Sequence, residues 1–208
     1  MEKETDVIII GAGPVGLFAV FELGLLNLKC HLIDNLDKIG GQCSELYPEK
    51  PIYDIPAYPK ITGQELTNNL IVQTKPFNPE FHLNQQAEII DKLEDGWKVT
   101  TSENTTIIAK CIVIAAGAGS FVPRRPPLEN IEEYENKSIF YAIRNKSIFE
   151  NKKILIVGGG DSALDWTNEL SSIAHVTLMH RRKDFRAAPD SVSNILDLEK
   201  NKKINFKL

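Results

Sequence analysis

The residues best suited to chemistry fall in two glycine clusters. In residues 6–16 a run of valine and isoleucine feeds Gly11-x-Gly13-x-x-Gly16, and in residues 154–163 a similar apolar run feeds Gly158-x-Gly160-x-x-Ala163. Each pattern suits a strand, a tight turn and a helix that together hold a dinucleotide. The first glycine turns the chain, the second lets backbone approach a pyrophosphate, and the third small residue lets helix pack on strand. Unpaired N–H groups at the helix N-terminus then face the phosphates. Two copies imply two nucleotides.

The copies differ in charge at the end of the next strand, where the adenosine ribose belongs. The first ends in Asp34, a carboxylate able to accept hydrogen bonds from ribose hydroxyls and to repel a phosphate. The second ends in His180-Arg181-Arg182, with Arg186 following, and these guanidinium groups can grip a 2′-phosphate bidentately. The first site therefore reads as FAD and the second as NADP(H). The bland alternative is a glycine turn without a ligand, against which the strand–turn–helix context and the opposed charges both weigh.

The elements that must position these residues follow from pattern. Residues 5–34 read as a β-α-β unit with a helix over 14–27, opened by Pro14. Residues 40–59 are too rich in proline for regular structure and read as a loop around the first cofactor. Thr62 and Glu65 form a capping box for a helix ending near Lys75, before Pro76. Residues 81–83, 87–93, 97–101 and 105–110 read as an antiparallel meander with a hairpin turn at Asp95-Gly96, leading into a central buried strand over 111–119 that ends in small residues. Pro123, Pro126 and Pro127 mark a linker, so the domains are expected at 1–120 and 121–208. Residues 137–150 carry no assignable pattern. A second β-α-β unit spans 153–182, and 203–208 look like the start of an unpaired strand. The expected class is thus α/β, two Rossmann-like three-layer domains, the first carrying the meander. The second reads as incomplete and the chain as C-terminally truncated, because a dinucleotide domain needs more parallel strands.

Composition bounds the alternatives. With 208 residues, 42% hydrophobic, 25% charged and a formal charge of −4, the sequence gives no sign of a nucleic-acid partner. The apolar stretch after Gly16 is broken by Glu22, Gly24 and Lys29, so no membrane span is expected, and the polar start points to the cytoplasm. The three cysteines lack a C-x-x-C and the four histidines lack metal spacing, so no metal is expected. Cys30 and Cys111 read as buried strand residues, and Cys43 as an inert thiol beside the first site.

The first fingerprint with Asp34, the Gly40-Gly41-Gln42 loop, the Ala115-Ala116-Gly117-Ala118 strand end, the second fingerprint with Asp161-Ser162-Ala163, and residues 180–186 together resemble the bacterial thioredoxin reductases. Those enzymes carry a C-x-x-C just before the second fingerprint. Here that connection reads Tyr141-Ala142-Ile143-Arg144-Asn145-Lys146-Ser147, which excludes a dithiol relay. Residues 40–48 resemble the dithiol-lacking relatives, the thioredoxin-reductase-like ferredoxin-NADP reductases.

That resemblance implies Asp34 on the FAD ribose, Gln42 and Tyr47 on the flavin half, Ala87 on adenine through its backbone, and Phe121 against the isoalloxazine. It also implies hydride transfer from NADPH to flavin N5, then single electrons to ferredoxin or a similar iron-sulfur protein, in a homodimer whose domains rotate about the linker. No side chain is expected to act as acid, base or nucleophile. The family's C-terminal return to the flavin lies beyond these residues, so alone they are expected to hold FAD incompletely and to be inactive. Arg124, Arg125, Arg144 and Lys146 are candidates for an acidic partner or plain solvated charges. An NADPH-dependent flavin oxidase or monooxygenase, and a non-catalytic nucleotide-binding module, stand as alternatives.

Overall fold

The computed structural model describes residues 2–119 and 125–208. Contacts divide the chain into two units, 1–144 and 145–208. The first unit contains β1 (Glu2–Glu4), β2 (Val7–Ile10), α1 (Pro14–Leu25), β3 (Cys30–Ile33), α2 (Gly41–Glu45), β4 (Pro51–Ile52), β5 (Ile61–Thr62), α3 (Gly63–Thr74), β6 (Glu80–His82), β7 (Ala87–Leu93), β8 (Gly96–Thr101), β9 (Thr106–Ala109) and β10 (Cys111–Ile114). The second contains β11 (Lys153–Val157), α4 (Asp161–Leu170), β12 (His175–Met179), α5 (Pro189–Lys200) and β13 (Asn205–Lys207).

The apolar run of β2 has no polar face, and both of its faces are covered, as suits a strand of a parallel sheet. Val7 and Ile9 join Val20 of α1 and Cys30 and Leu32 of β3 in one core cluster. Ile8, with Ile33 of β3, packs instead on Val99, Ile107 and Ala109 of the meander. The first unit is therefore layered as helices, parallel sheet and second sheet. Ile8 and Ile9 are fully buried, and burying a side chain of that size stabilises by about 1.5–3 kcal/mol. On the helical side, Gly24 of α1 leaves room for the Phe77 ring, which also meets Phe21 edge-on at 5.9 Å between centroids.

Several elements depart from the sequence expectations. β6 does not belong to the meander: it pairs in parallel with β3, giving the sheet order β10-β2-β3-β6. The backbone turns after it at Asn84, with φ +54°, and only then enters the second sheet through β7. That sheet has the order β1-β9-β8-β7, so the polar β1 adds a parallel strand to the expected meander. β10 pairs with β2 but lies at the sheet edge among the described residues, with Ile114 73% exposed and Cys111 exposed rather than buried. Cys30 is buried as expected. The proline-rich stretch holds a short helix, α2, and the β4–β5 hairpin; its prolines begin only at Pro48, and Gly40, at φ +119°, starts the helix.

The boundary between units falls between Arg144 and Asn145, not near residue 120. Residues 125–144 stay with the first unit because Ile143 N–H donates to the Leu46 carbonyl and Arg144 pairs with Glu45 at the end of α2. In the second unit β13 is paired, not orphaned: it runs parallel to β12, which runs parallel to β11. Leu164 and Leu170 of α4 and Val176 and Leu178 of β12 are buried in this unit.

The capping box is present in full. Glu65 N–H donates to Thr62 Oγ1, and the Glu65 carboxylate accepts from Thr62 N–H at 2.9 Å, which holds the Glu65 carboxyl below its usual range. Thr62→Ala is expected to lower the stability of the first unit by about 1 kcal/mol, measured as a shift in the urea midpoint followed by Trp97 fluorescence.

Candidate functional site

The first glycine turn opens a cavity of about 650 Å³. Its wall includes Gly11, Gly13, Asp34, Gln42, Tyr47, Ala87 and the Ala115–Gly117 backbone, so six of the seven described residues expected there share one cavity. The seventh, Gly16, is buried behind the turn in α1. Phe121 and Arg124 lie outside the described residues.

Each glycine of the turn has its own reason to be glycine. Gly11 adopts φ +107°, and a Cβ there would sit 2.3 Å from the Ala115 carbonyl oxygen. On Gly16 a Cβ would fall 2.0 Å from the Gly11 carbonyl oxygen. Gly13 is different: its φ is −75°, and a Cβ would meet only the Gly41 Cα at 3.7 Å, ordinary contact. The fold needs the outer two glycines and can accommodate a side chain at the middle one.

Asp34 is 8% exposed at the end of β3. Ala12 N–H donates to its Oδ2 at 2.7 Å and Leu36 N–H to its Oδ1 at 2.9 Å. Each carboxylate oxygen keeps a further acceptor direction, and the side chain borders the cavity. Gln42 and Tyr47 approach the same space from α2 and the turn after it. The Gln42 Nε2 atom would lie 3.6 Å from a Cβ placed on Gly117, which puts its amide beside the turn that follows β10. The Cys43 thiol donates to the Tyr47 hydroxyl at 3.7 Å. Burial pushes the Cys43 thiol up, and burial with the neighbouring Cys43 pushes the Tyr47 phenol up. Both stay protonated near neutral pH, so Cys43 offers no thiolate nucleophile.

The second turn repeats the arrangement. Gly158 adopts φ +154°, and a Cβ there would be 2.9 Å from the Ala163 Cβ. At Gly160 a Cβ would meet only the Arg186 carbonyl oxygen at 3.6 Å, again ordinary contact. Gly159 lies under the His180 ring, which stacks on Phe185 at 5.7 Å. Arg186 N–H donates to the Gly159 carbonyl at 2.7 Å, so the arginine segment is laced directly to the turn. Arg181, Arg182 and Arg186 are exposed and make no ion pair among the described residues. Arg125, by contrast, binds Glu135 bidentately at 2.8 Å and Glu132 at 3.3 Å, Arg144 pairs with Glu45, and Lys146 lies 3.3 Å from Glu169. These three are engaged within the chain, which favours the plain reading of them as structural charges.

Sequence spacing missed one further cluster. His31, Glu80 and His82 come together where β3 meets β6. Glu80 and His82 alternate on one strand, which was visible, but the pairing that brings His31 to them was not.

Comparison with known proteins adds to this geometry. A family model described as pyridine nucleotide-disulphide oxidoreductase matches residues 5–208. A ferredoxin–NADP reductase of Nitrobacter hamburgensis is 59% identical over 207 residues, covering 99% of this chain and 60% of that protein. The chain thus spans about 60% of the length of the curated relatives it matches. The thioredoxin reductase of Lactococcus lactis matches with a TM-score of 0.80 at 29% identity, over 97% of this chain and 63% of that one. The thioredoxin reductase of T. acidophilum matches with a TM-score of 0.82 over 99% of this chain and 64% of that one, and at 19% identity it speaks for the fold alone. The resemblance drawn from the motifs is borne out in both respects, fold and relatives. Among the described residues no helix is long and apolar enough to cross a membrane. With two glycine turns in strand–turn–helix settings and a family match over nearly its whole length, the chain belongs to the pyridine nucleotide-disulphide oxidoreductase family.

Proposed function

We propose that this chain is the FAD- and NADP(H)-binding part of a ferredoxin-NADP reductase: FAD in the first unit, NADP(H) in the second, and a ferredoxin or similar iron-sulfur protein as electron partner. The observation that carries this reading is the charge contrast between two otherwise alike turns. A buried carboxylate, Asp34, borders the first cavity, whereas Arg181, Arg182 and Arg186 stand exposed and without an ion pair among the described residues beside the second. A ribose diol suits the carboxylate, and a 2′-phosphate suits the guanidinium cluster. The middle glycines add a fit test. Gly13 and Gly160 have space for a Cβ within the protein, so their bareness serves something outside it, namely a pyrophosphate lying against the backbone.

In the first unit Asp34 would hold the ribose, Gly13 would leave room for the pyrophosphate, the Ala87 backbone would meet adenine, and Gln42 and Tyr47 would contact the flavin. The remaining expectation, Phe121 against the flavin ring, is part of the same proposal. Flavin supplies the ability to take electrons as a hydride pair and release them one at a time. This chain's own residues bind and orient. A homodimer is proposed on the resemblance alone. A cytoplasmic location is supported by three free cysteines, one of them exposed, which suits a reducing compartment. The identity of 59% to a protein named ferredoxin–NADP reductase supports the activity over the oxidase and the non-catalytic readings.

The deciding experiment is NADPH-driven reduction of ferredoxin by the full-length protein, followed under stopped flow with oxygen as the competing acceptor. Fast ferredoxin reduction with slow oxygen consumption supports the proposal; the reverse points to an oxidase. Gly13→Ala is expected to change stability by less than about 1 kcal/mol yet to lower flavin retention, read from the visible flavin band after desalting. Asp34→Asn trades one acceptor oxygen for an NH2 group facing a backbone N–H and removes the charge. We expect faster flavin loss from it, and full retention would take Asp34 out of the site. Arg181→Gln and Arg182→Gln should each weaken NADPH by about 1.5–3 kcal/mol while leaving NADH nearly unchanged; equal losses for both nucleotides would place the 2′-phosphate elsewhere.

A further inference from the structure

The parallel pairing of β3 with β6 sets His31 opposite Glu80 and Ile33 opposite His82. Glu80 and His82, two apart on a strand, share a face, and His31 joins them on it. That face is the one Ile33 turns toward the second sheet, and Lys3 of β1 reaches across from that sheet to pair with Glu80. His31 Nδ1 and His82 Nε2 lie 3.1 Å apart. Glu80 Oε2 is 3.4 Å from His31 Nε2, and its Oε1 is 3.8 Å from His82 Nε2. The His31 side chain is 13% exposed, His82 5% and Glu80 46%.

We propose that His31, Glu80 and His82 form a binding site for a divalent transition metal of the zinc class. One ligand atom from each residue can be chosen so that all lie within 4.8 Å of one another. The 3.1 Å between the two imidazole nitrogens is close to the edge of about 3.3 Å of a tetrahedron built on zinc–nitrogen bonds of about 2.05 Å. Two imidazoles and one carboxylate are a common zinc donor set, and they leave a position for water. An imidazole–imidazole hydrogen bond joins two of these side chains, and the third, the Lys3-paired carboxylate of Glu80, lies within 4 Å of both rings. Burial, the leading cause in each case, holds both imidazoles below the ordinary histidine range; Lys3 works the same way, His31 lowers His82 further, and Glu80 opposes. Glu80 is held ionised chiefly by its hydrogen bond from Lys3. The neutral imidazole and the ionised carboxylate are the forms a metal takes.

The site is placed to brace the nucleotide cavity. The His82 carbonyl accepts from Asp34 N–H at 3.0 Å, one residue beyond β3. A metal joining the two strands would therefore stiffen the backbone that carries Asp34. The proposal stands apart from the assignment of FAD and NADP(H), because its donors lie outside both glycine turns.

The test uses the full chain, stripped with a chelator and titrated with Zn2+ against a chromophoric competitor, with Co2+ as a spectroscopic probe. Expected are one Zn2+ per chain and a visible cobalt spectrum of nitrogen and oxygen ligands without a thiolate charge-transfer band. Zinc should also raise the melting temperature. Affinity should fall roughly tenfold or more in His31→Asn, His82→Asn and Glu80→Gln. It should rise in Lys3→Met, a surface change that removes the competing ammonium. A Cys111→Ser control should bind as the parent does. Absence of stoichiometric binding, or binding that survives in the His31→Asn/His82→Asn double variant, overturns the proposal. If the histidine variants unfold, Glu80→Gln and Lys3→Met, which change affinity in opposite directions, decide it.

Discussion

Asp34, the residue after β3, has both carboxylate oxygens engaged, one by the Ala12 N–H within the glycine turn and the other by the Leu36 N–H beyond the strand. A side-chain carboxyl that is 8% exposed needs hydrogen-bond partners, since burying a polar group without them is disfavoured. The compensation fixes geometry: the carboxylate can satisfy both N–H groups only if the turn and the strand end stay in register. The Asp34 backbone extends the constraint, its N–H bonding the His82 carbonyl and its own carbonyl accepting from Gln85. One residue thus ties the glycine turn to β3, to β6 and to the approach to β7. The same side chain borders the cavity. Structure and proposed recognition draw on the same two oxygens.

This constraint explains which parts of the fold were legible. Local signals survived: the β-branched run of β2, Pro14 at the start of α1 and the Thr62–Glu65 box appear where expected, and the hairpin between β7 and β8 forms one residue earlier than expected, at Glu94-Asp95 with Gly96 opening β8, because each is decided within a few residues. Placement within sheets was the weak point. Residues 81–83 read as strand and largely are, but whether β6 joins the meander or the parallel sheet depends on Asn84 taking a left-handed turn. Nothing in the alternation of Glu80, Phe81 and His82 carries that information. β10 resembles a central strand by composition, yet its neighbour on one side is β2 and its far edge is open among the described residues. Prolines misled in the opposite sense, since a proline-rich window of twenty residues can still hold a proline-free turn of helix at Gly41–Glu45.

The candidate site was more legible than the fold around it, for a physical reason. A dinucleotide turn places all its requirements in one short stretch: a positive φ, two close approaches and a bare backbone. The geometry separates these requirements residue by residue. Gly11, Gly16 and Gly158 are glycine because the protein itself occupies the space of a side chain. At Gly13 and Gly160, the N-caps of α1 and α4, the protein leaves space for a Cβ. Sequence alone weighs all of them equally. Gln42 and Tyr47 are the intermediate case: their residue types suit a flavin, but only α2, which pattern reading did not find, brings them to the cavity.

The cluster of His31, Glu80 and His82 marks the far limit of what spacing can carry. Its members are 51 residues apart in sequence at the widest, and the histidines belong to different strands whose adjacency is itself the outcome least visible in the chain. Two histidines at 3.1 Å are tolerated at neutral pH because burial keeps both uncharged. Lys3 reinforces the neutral state and at the same time occupies the carboxylate that a cation would use. The arrangement is balanced between an ion pair across two sheets and a ligand set within one. The polar chemistry around β3 therefore lies at two places: Asp34, just beyond its end, borders the cavity of the first glycine turn, and His31, three residues earlier, belongs to the polar cluster shared with β6.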